Sequence, residues 1–311
     1  MKHKKWRWIV LIFLLVLTAA IYFGVNIAAP YGIIIPLRVD PANHGEKYWH
    51  PSHPSFYNLN YDTLDIVTDD SIHLAGYWVK PRQSDSLKGS FIFLHGISSC
   101  KEVFLEFASF LADQGVGSVL FDLRAHGKSG GQFNTYGYHE KRDVAVVNQF
   151  IKKQEPNLAV GVWGNSLGGA IAYQSLAYDT TLDFGVIQST FARLPQIVDD
   201  YGKRIIGFRI PGLANYALEK ASRIADFPGF EVVPANSCKE ITQPVYVMHG
   251  DQDINIDISY GRENFDNIPH SHKVWYTVEG ADHYDLPRKA SVHVNEVVIP
   301  WAIHQMENKR K

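Results

Sequence analysis

From residue 60 onward, short apolar runs alternate with longer stretches in which apolar side chains recur every three or four positions. The runs are 91–94, 118–121, 159–163, 184–188, 245–248 and 274–278, and each reads as a buried strand. Before them, YDTLDIV and HLAGYWVK flank the turn TDDS and read as an antiparallel pair. Strands alternating with helices predict an α/β chain: a mainly parallel sheet with helices on both faces. Functional groups in such sheets gather at the carboxyl ends of the strands.

The N-terminus follows another pattern. Residues 8–29, WIVLIFLLVLTAAIYFGVNIAA, carry no charge and one strongly polar side chain, Asn26. That length can span a hydrocarbon core as one helix. A cleaved signal peptide is the alternative, with Thr18-Ala19-Ala20 as its processing site, although the apolar run is longer than a signal core. Lys2, Lys4, Lys5 and Arg7 precede the run and place the N-terminus in the cytoplasm and the remainder on the extracytoplasmic side. The expected organisation is 1–29 basic residues and transmembrane anchor, 30–59 linker, 60–305 catalytic-type domain and 306–311 basic tail.

The chain has 311 residues, 46% hydrophobic and 20% charged, enough for a large core. Four of its 30 basic side chains lie before the apolar run, so the rest carries 26 against 32 acidic ones, which argues against a nucleic-acid partner. Two cysteines, Cys100 and Cys238, do not make a disulfide scaffold, and their pairing is left open. No histidine or cysteine spacing calls for a metal, and no motif calls for a cofactor. Oligomeric state is likewise open.

Chemistry enters at LAVGVWGNSLGGAIAYQSLA. Gly164-Asn165-Ser166-Leu167-Gly168 fits G-x-S-x-G between a strand and a helix, where the serine sits on a strained turn with its hydroxyl raised above the sheet. Leu167 then offers its N–H at the helix N-terminus, a site that favours an oxyanion. A bland reading has Ser166 simply end a strand. A nucleophilic serine needs a base and the base an orienting acid, in the order Ser, Asp or Glu, His. PVYVMHGDQDINID supplies Asp251 and Asp253, and KVWYTVEGADHYDL supplies His283. His249 and His293 are rival bases, but one belongs to an H-G element and the other to a final helix.

The motifs FIFLHGISSCKE, SVLFDLRAHGKSGG, GNSLGG, VMHGDQDINID and EGADHYDL together resemble the α/β-hydrolase superfamily, in the cap-bearing branch of monoacylglycerol lipases and serine aminopeptidases. The resemblance covers about residues 60 to 305. It implies an α/β-hydrolase fold with a short helical cap at about 190–242, Asp253 as the acid, His283 as the base, and Ile97 as the second oxyanion N–H. Relatives commonly read R-G-H-G where this chain has Arg124-Ala125-His126-Gly127. His95 and His126 are expected to shape loops and not to act as bases.

The resulting expectation is a membrane-anchored serine hydrolase with a small ester or acyl substrate. RIIGFRIPGLANYAL would line an acyl pocket, and no unpaired acidic cluster stands ready to bind an ammonium group. A serine aminopeptidase or a thioesterase is the alternative within the fold. A non-catalytic binding protein is the alternative outside it, and an intact triad argues against that reading.

Overall fold

A computed structural model describes residues 2–40, 52–83 and 87–309. Among the described residues, eight strands form one sheet in the order β1-β2-β4-β3-β5-β6-β7-β8. They are β1 (Asn60–Val67), β2 (His73–Lys80), β3 (Gly89–Leu94), β4 (Val116–Phe121), β5 (Val160–Asn165), β6 (Phe184–Gln188), β7 (Val245–Gly250) and β8 (Lys273–Val278). β1 and β2 are antiparallel to their neighbours, and every pairing from β4 to β8 is parallel.

Burial explains why the strands were readable as continuous apolar runs. All six residues of β3 and of β4 are buried, because a parallel strand is covered on both faces. Alternation along β3 assigns the faces. Ile92 and Leu94 pack with Val144, Val147 and Ile151 of α4 (Glu140–Gln154) and Ile171 of α5 (Leu167–Tyr178). Phe91 and Phe93 face Leu105, Ala108 and Leu111 of α3 (Leu105–Asp113) and Met306 of α9 (Ile299–Lys309).

Between β6 and β7 lie α6 (Leu194–Ile206) and α7 (Leu213–Ala225). Pro195 falls in the first turn of α6, where its missing N–H costs nothing, and Pro211 lies between the two helices. Leu194, Ile197, Leu218 and Ala221 form a third apolar cluster over Ala170 of α5, so this segment covers the carboxyl end of the sheet.

Two expected boundaries move. The N-terminal helix α1 (Lys2–Phe23) continues through a π-helical stretch, Gly24–Ala28, into α2 (Ala29–Ile34). Residues 30–40 are not a loose linker, since Pro30 and Ile34 are buried, and Asn134 and Tyr136 donate to the carbonyls of Ile34 and Ile33. Arg38 then donates to the carbonyls of Gly127, Ser129 and Gly131 at 3.1, 2.6 and 2.6 Å. The middle of the expected linker, 41–51, lies outside the described residues. At the other end α9 runs to Lys309 with Met306 in the core, so 306–309 are its last turn and not a tail, and 310–311 lie outside the described residues.

Candidate active site

Ser166 joins β5 to α5 in a backbone conformation that side chains avoid, φ 55° and ψ −117°. Its N–H donates to Gln188 O at the end of β6, and Ser166 O accepts from the N–H groups of Gly169 and Ala170. These bonds hold the strained turn from both sides. Glycine is required beside it because the backbones almost touch. A Cβ on Gly164 would lie 2.2 Å from Gly168 O, and one on Gly168 would lie 1.9 Å from Leu94 O.

His283 reaches the serine from the loop after β8. Its Nε2 is 3.0 Å from Ser166 Oγ, and its Nδ1 is 2.7 Å from Asp253 Oδ2 on the loop after β7. Asp253 is buried, and its Oδ1 accepts from the N–H groups of Asn255 and Ile256 at 2.9 and 2.8 Å. Burial opposes its ionisation, but the hydrogen bond and charge of His283 and the Ile256 N–H outweigh it, so its carboxyl sits below the usual carboxylate range. An ionised Asp253 accepts a hydrogen bond from Nδ1–H, which keeps the proton on that nitrogen and leaves the Nε2 lone pair for the serine hydroxyl.

Asp251, the rival acid, has another task. Its Oδ1 accepts from Gly280 N at 2.6 Å, and Gln252 N donates to Ala281 O, so this stretch braces the histidine loop. The helix after the acid loop, α8 (Ile258–Asn267), is capped by Asp257, whose side chain accepts from Ser259 N. The rival bases are also occupied. His249 is buried beside the acid and lies 2.9 Å from Ile256 O, and burial pushes its imidazole below the ordinary range. His293 bonds Tyr246 Oη at 2.7 Å and stacks on Tyr276.

For an oxyanion, Leu167 is the first residue of α5, and its N–H has no partner within the helix. Opposite it runs the loop after β3. A Cβ on Gly96 would be 3.6 Å from Ser166 Cβ, which places Ile97 next to a residue that borders the serine. That loop is pinned at both ends. His95 Nε2 accepts from Leu123 N, so its Nδ1 carries the proton and donates to Gly96 O at 2.8 Å. Burial, with His126 nearby, pushes His95 down to about 3 and keeps it neutral. Beyond the loop, buried Lys101 bridges Asp122 and Glu102 at 2.7 and 2.9 Å; burial pulls its ammonium down, but the two carboxylates outweigh this and raise it.

Sequence reading missed several neighbours. Burial pushes the Tyr201 hydroxyl of α6 up, with Arg204 beside it opposing and Tyr284 and Asp253 adding to the rise, and nothing in the sequence marks it. Ser98, which accepts from Leu37 N at 3.0 Å, ties the segment after α2 to the loop after β3. Ala125, where relatives have glycine, sits at φ 63° and so occupies a backbone region that glycine enters more easily. Cys100 and Cys238 are separate buried thiols.

The expected acyl-pocket lining is corrected. Ile205, Phe208 and Ile210 are 83%, 61% and 42% exposed, Ile206 is also exposed, and Leu218 is buried in the core. The segment was too apolar by composition to distinguish a pocket wall from an outward tip. A cleft of about 670 Å³ lies instead between α6 and the loop after β7, walled by Asp200, Lys203, Arg204, Asp257 and Tyr260 among others. It borders the acid loop through Ile254 and Asn255, and neither Ser166 nor His283 lines it.

Residues 85–205 match the family model described as serine aminopeptidase, S33. An uncharacterized Bacillus subtilis protein, YqkD, is 24% identical over 242 residues, 75% of this chain and 76% of that one. An esterase of Pyrococcus furiosus, Pf2001, superposes with a TM-score of 0.66 at 21% identity, covering 88% of this chain and 98% of the other. An acylaminoacyl peptidase of Pyrococcus horikoshii superposes at 0.61 with 14% identity, over 80% of this chain and 42% of that one. The fold is that of the α/β hydrolases, as the five motifs led one to expect.

Proposed function

We propose that this α/β-hydrolase-fold chain is a membrane-anchored serine hydrolase that cleaves carboxylic esters through an acyl-enzyme. The observation that carries the reading is the hydrogen-bonded series from Asp253 Oδ2 through His283 to Ser166 Oγ on a strained strand-to-helix turn. His283 Nε2 takes the serine proton as Oγ attacks the ester carbonyl, and the N–H groups of Ile97 and Leu167 hold the oxyanion. The same proton passes to the departing alcohol. Water, deprotonated by His283, then attacks the acyl carbonyl and frees Ser166. Asp253 keeps the imidazole in the productive tautomer and balances its positive charge.

The ester preference rests on where the acidic side chains of the cap go. An aminopeptidase must hold a free ammonium group with a carboxylate. Of the five cap carboxylates, Asp199 and Asp200 both receive Arg209, Asp200 also accepts from Tyr260 Oη, and Glu219 receives Arg223, while Asp226 and Glu231 lie exposed on the surface and do not wall the cleft. Arg193 goes to Glu263 and Arg204 to Asn255, so the partners differ from those that sequence proximity suggests. One observation favours the peptidase alternative: the polar cleft beside the acid loop carries Asp200 and Asp257, and the matched family model bears a peptidase description.

The anchor reading rests on the helix Lys5–Ile34, long and apolar enough to cross a bilayer, with the N-terminus cytoplasmic and the domain extracytoplasmic. The test of specificity uses full-length protein in nanodiscs, with nitrophenyl esters of increasing chain length beside aminoacyl nitroanilides. Esters should be cleaved faster. Faster cleavage of the anilides transfers the assignment to the peptidase.

A further inference from the structure

Every residue from position 203 to position 212 is exposed, including Ile205, Ile206, Phe208 and Ile210. They form the tip where α6 turns into α7. The turn is ordered: Arg209 pairs back to Asp199 and Asp200 of α6, which leaves Phe208 and Ile210 on either side of it in the open. Apolar side chains grouped this way mark a contact surface.

The N-terminal helix identifies what covers them. All side chains from Trp6 to Phe23 are exposed, and partial burial starts at Gly24. At about 1.5 Å per residue, the stretch from Lys5 to Gly24 is roughly 30 Å long, the thickness of a hydrocarbon core. The next polar residue, Asn26, accepts from Tyr216 Oη and Lys220 Nζ of α7, each at 2.6 Å. Farther along, Ile34 shares a buried cluster with Leu218, Ala221 and Ala225. The two helices therefore run inward together, and α7 starts at the level where α1 leaves the apolar layer.

We propose that the tip of the cap, residues 205–210, docks into the bilayer that carries the anchor, on the leaflet facing the domain. Exposed Lys203 beside the tip, and Lys220 held at the level of Asn26, supply cations at the depth of lipid phosphates. Asn26 fixes the height of the cap above the membrane, and an amphiphilic ester reaches the site from the lipid side. The proposal rests on the uncleaved anchor of the preceding reading.

The test uses full-length protein in phosphatidylcholine and phosphatidylglycerol nanodiscs, with intact mass showing that residues 1–29 are retained. Because Cys100 and Cys238 are buried, Phe208→Cys can be labelled with a fluorophore and compared with Lys153→Cys, at an exposed position of α4. Nitroxide placed on the lipid acyl chains should quench the 208 label several-fold more than the 153 label. Equal quenching overturns the docking, and a chain found cleaved overturns it together with the anchor. Independently, Ile205→Glu with Phe208→Glu should lower turnover of a bilayer-borne monoacylglycerol at least ten-fold and leave soluble nitrophenyl acetate turnover unchanged. Equal loss on both substrates contradicts the proposal. If wild-type protein cleaves no ester at all, the hydrolase reading fails, while the quenching result still decides the docking.

Discussion

Asp253 meets His283 through a 2.7 Å hydrogen bond, whereas Asp251, two residues earlier, turns its carboxylate to the backbone N–H of Gly280. Asp253→Asn should lower kcat on a nitrophenyl ester by about 10⁴-fold, because the amide favours the wrong imidazole tautomer. Asp251→Asn keeps an oxygen for Gly280 and should cost about ten-fold or less, since it touches no reacting group. Steady-state kinetics of the two variants decide between them, and the reverse order would exchange the acids.

That pair also shows where sequence reading stops. Both aspartates lie on one loop after a strand, and only the path of the loop gives Asp253 to His283 and Asp251 to Gly280. The strands were legible because double-sided burial makes β3, β4 and β5 continuous apolar runs, and Ser166 because close backbone approach demands glycines around it. Tyr201 left no trace, since its place depends on how α6 lies over the site. Arg38 left none either, because its partners are carbonyl groups, which every sequence offers. Asn26 was visible as the single polar residue of an apolar run, but its meaning came from Tyr216 and Lys220, far away in the chain.

The strain at Ser166 has a thermodynamic signature. A non-glycine residue at φ 55° and ψ −117° costs on the order of 1–3 kcal/mol. Ser166→Gly and Ser166→Ala both remove the hydroxyl, but only glycine relaxes the turn. The Gly variant should melt at a higher temperature than the Ala variant, by an amount equivalent to about 1 kcal/mol. Thermal unfolding of the two proteins side by side checks this, and equal midpoints would remove the strain argument.

Buried His95 makes stability depend on pH. Its folded value of about 3 lies below the ordinary imidazole value of 6.5, so below pH 6.5 the unfolded chain binds a proton that the folded one refuses. Stability should fall as pH drops from 6.5 toward 3, by at most about 1.4 kcal/mol per pH unit for this group. His126 and His249, also pushed down by burial, add to the slope. His95→Asn should reduce the slope, as measured by urea unfolding at several pH values. An unchanged slope would show that His95 does not carry the dependence.

For the anchor, full-length protein should stay in the membrane fraction after a high-salt wash, because apolar burial and not ion pairing holds it. Its N-terminal peptide should be recovered intact by mass spectrometry. Protease outside intact cells, or outside spheroplasts where there is an outer membrane, should digest the domain and spare the first residues. A mature N-terminus near Ile21 would show a signal peptide, and full protection with the membrane sealed would invert the orientation.

The central claim is that Ser166 is a nucleophile activated by His283. Its most direct test is labelling of the full-length protein with a fluorophosphonate, followed by peptide mapping. The account predicts one adduct, on the peptide carrying Ser166, with labelling and ester turnover both lost in Ser166→Ala while the fold is retained. An adduct on another residue, or turnover near wild type in the Ala variant, would contradict it.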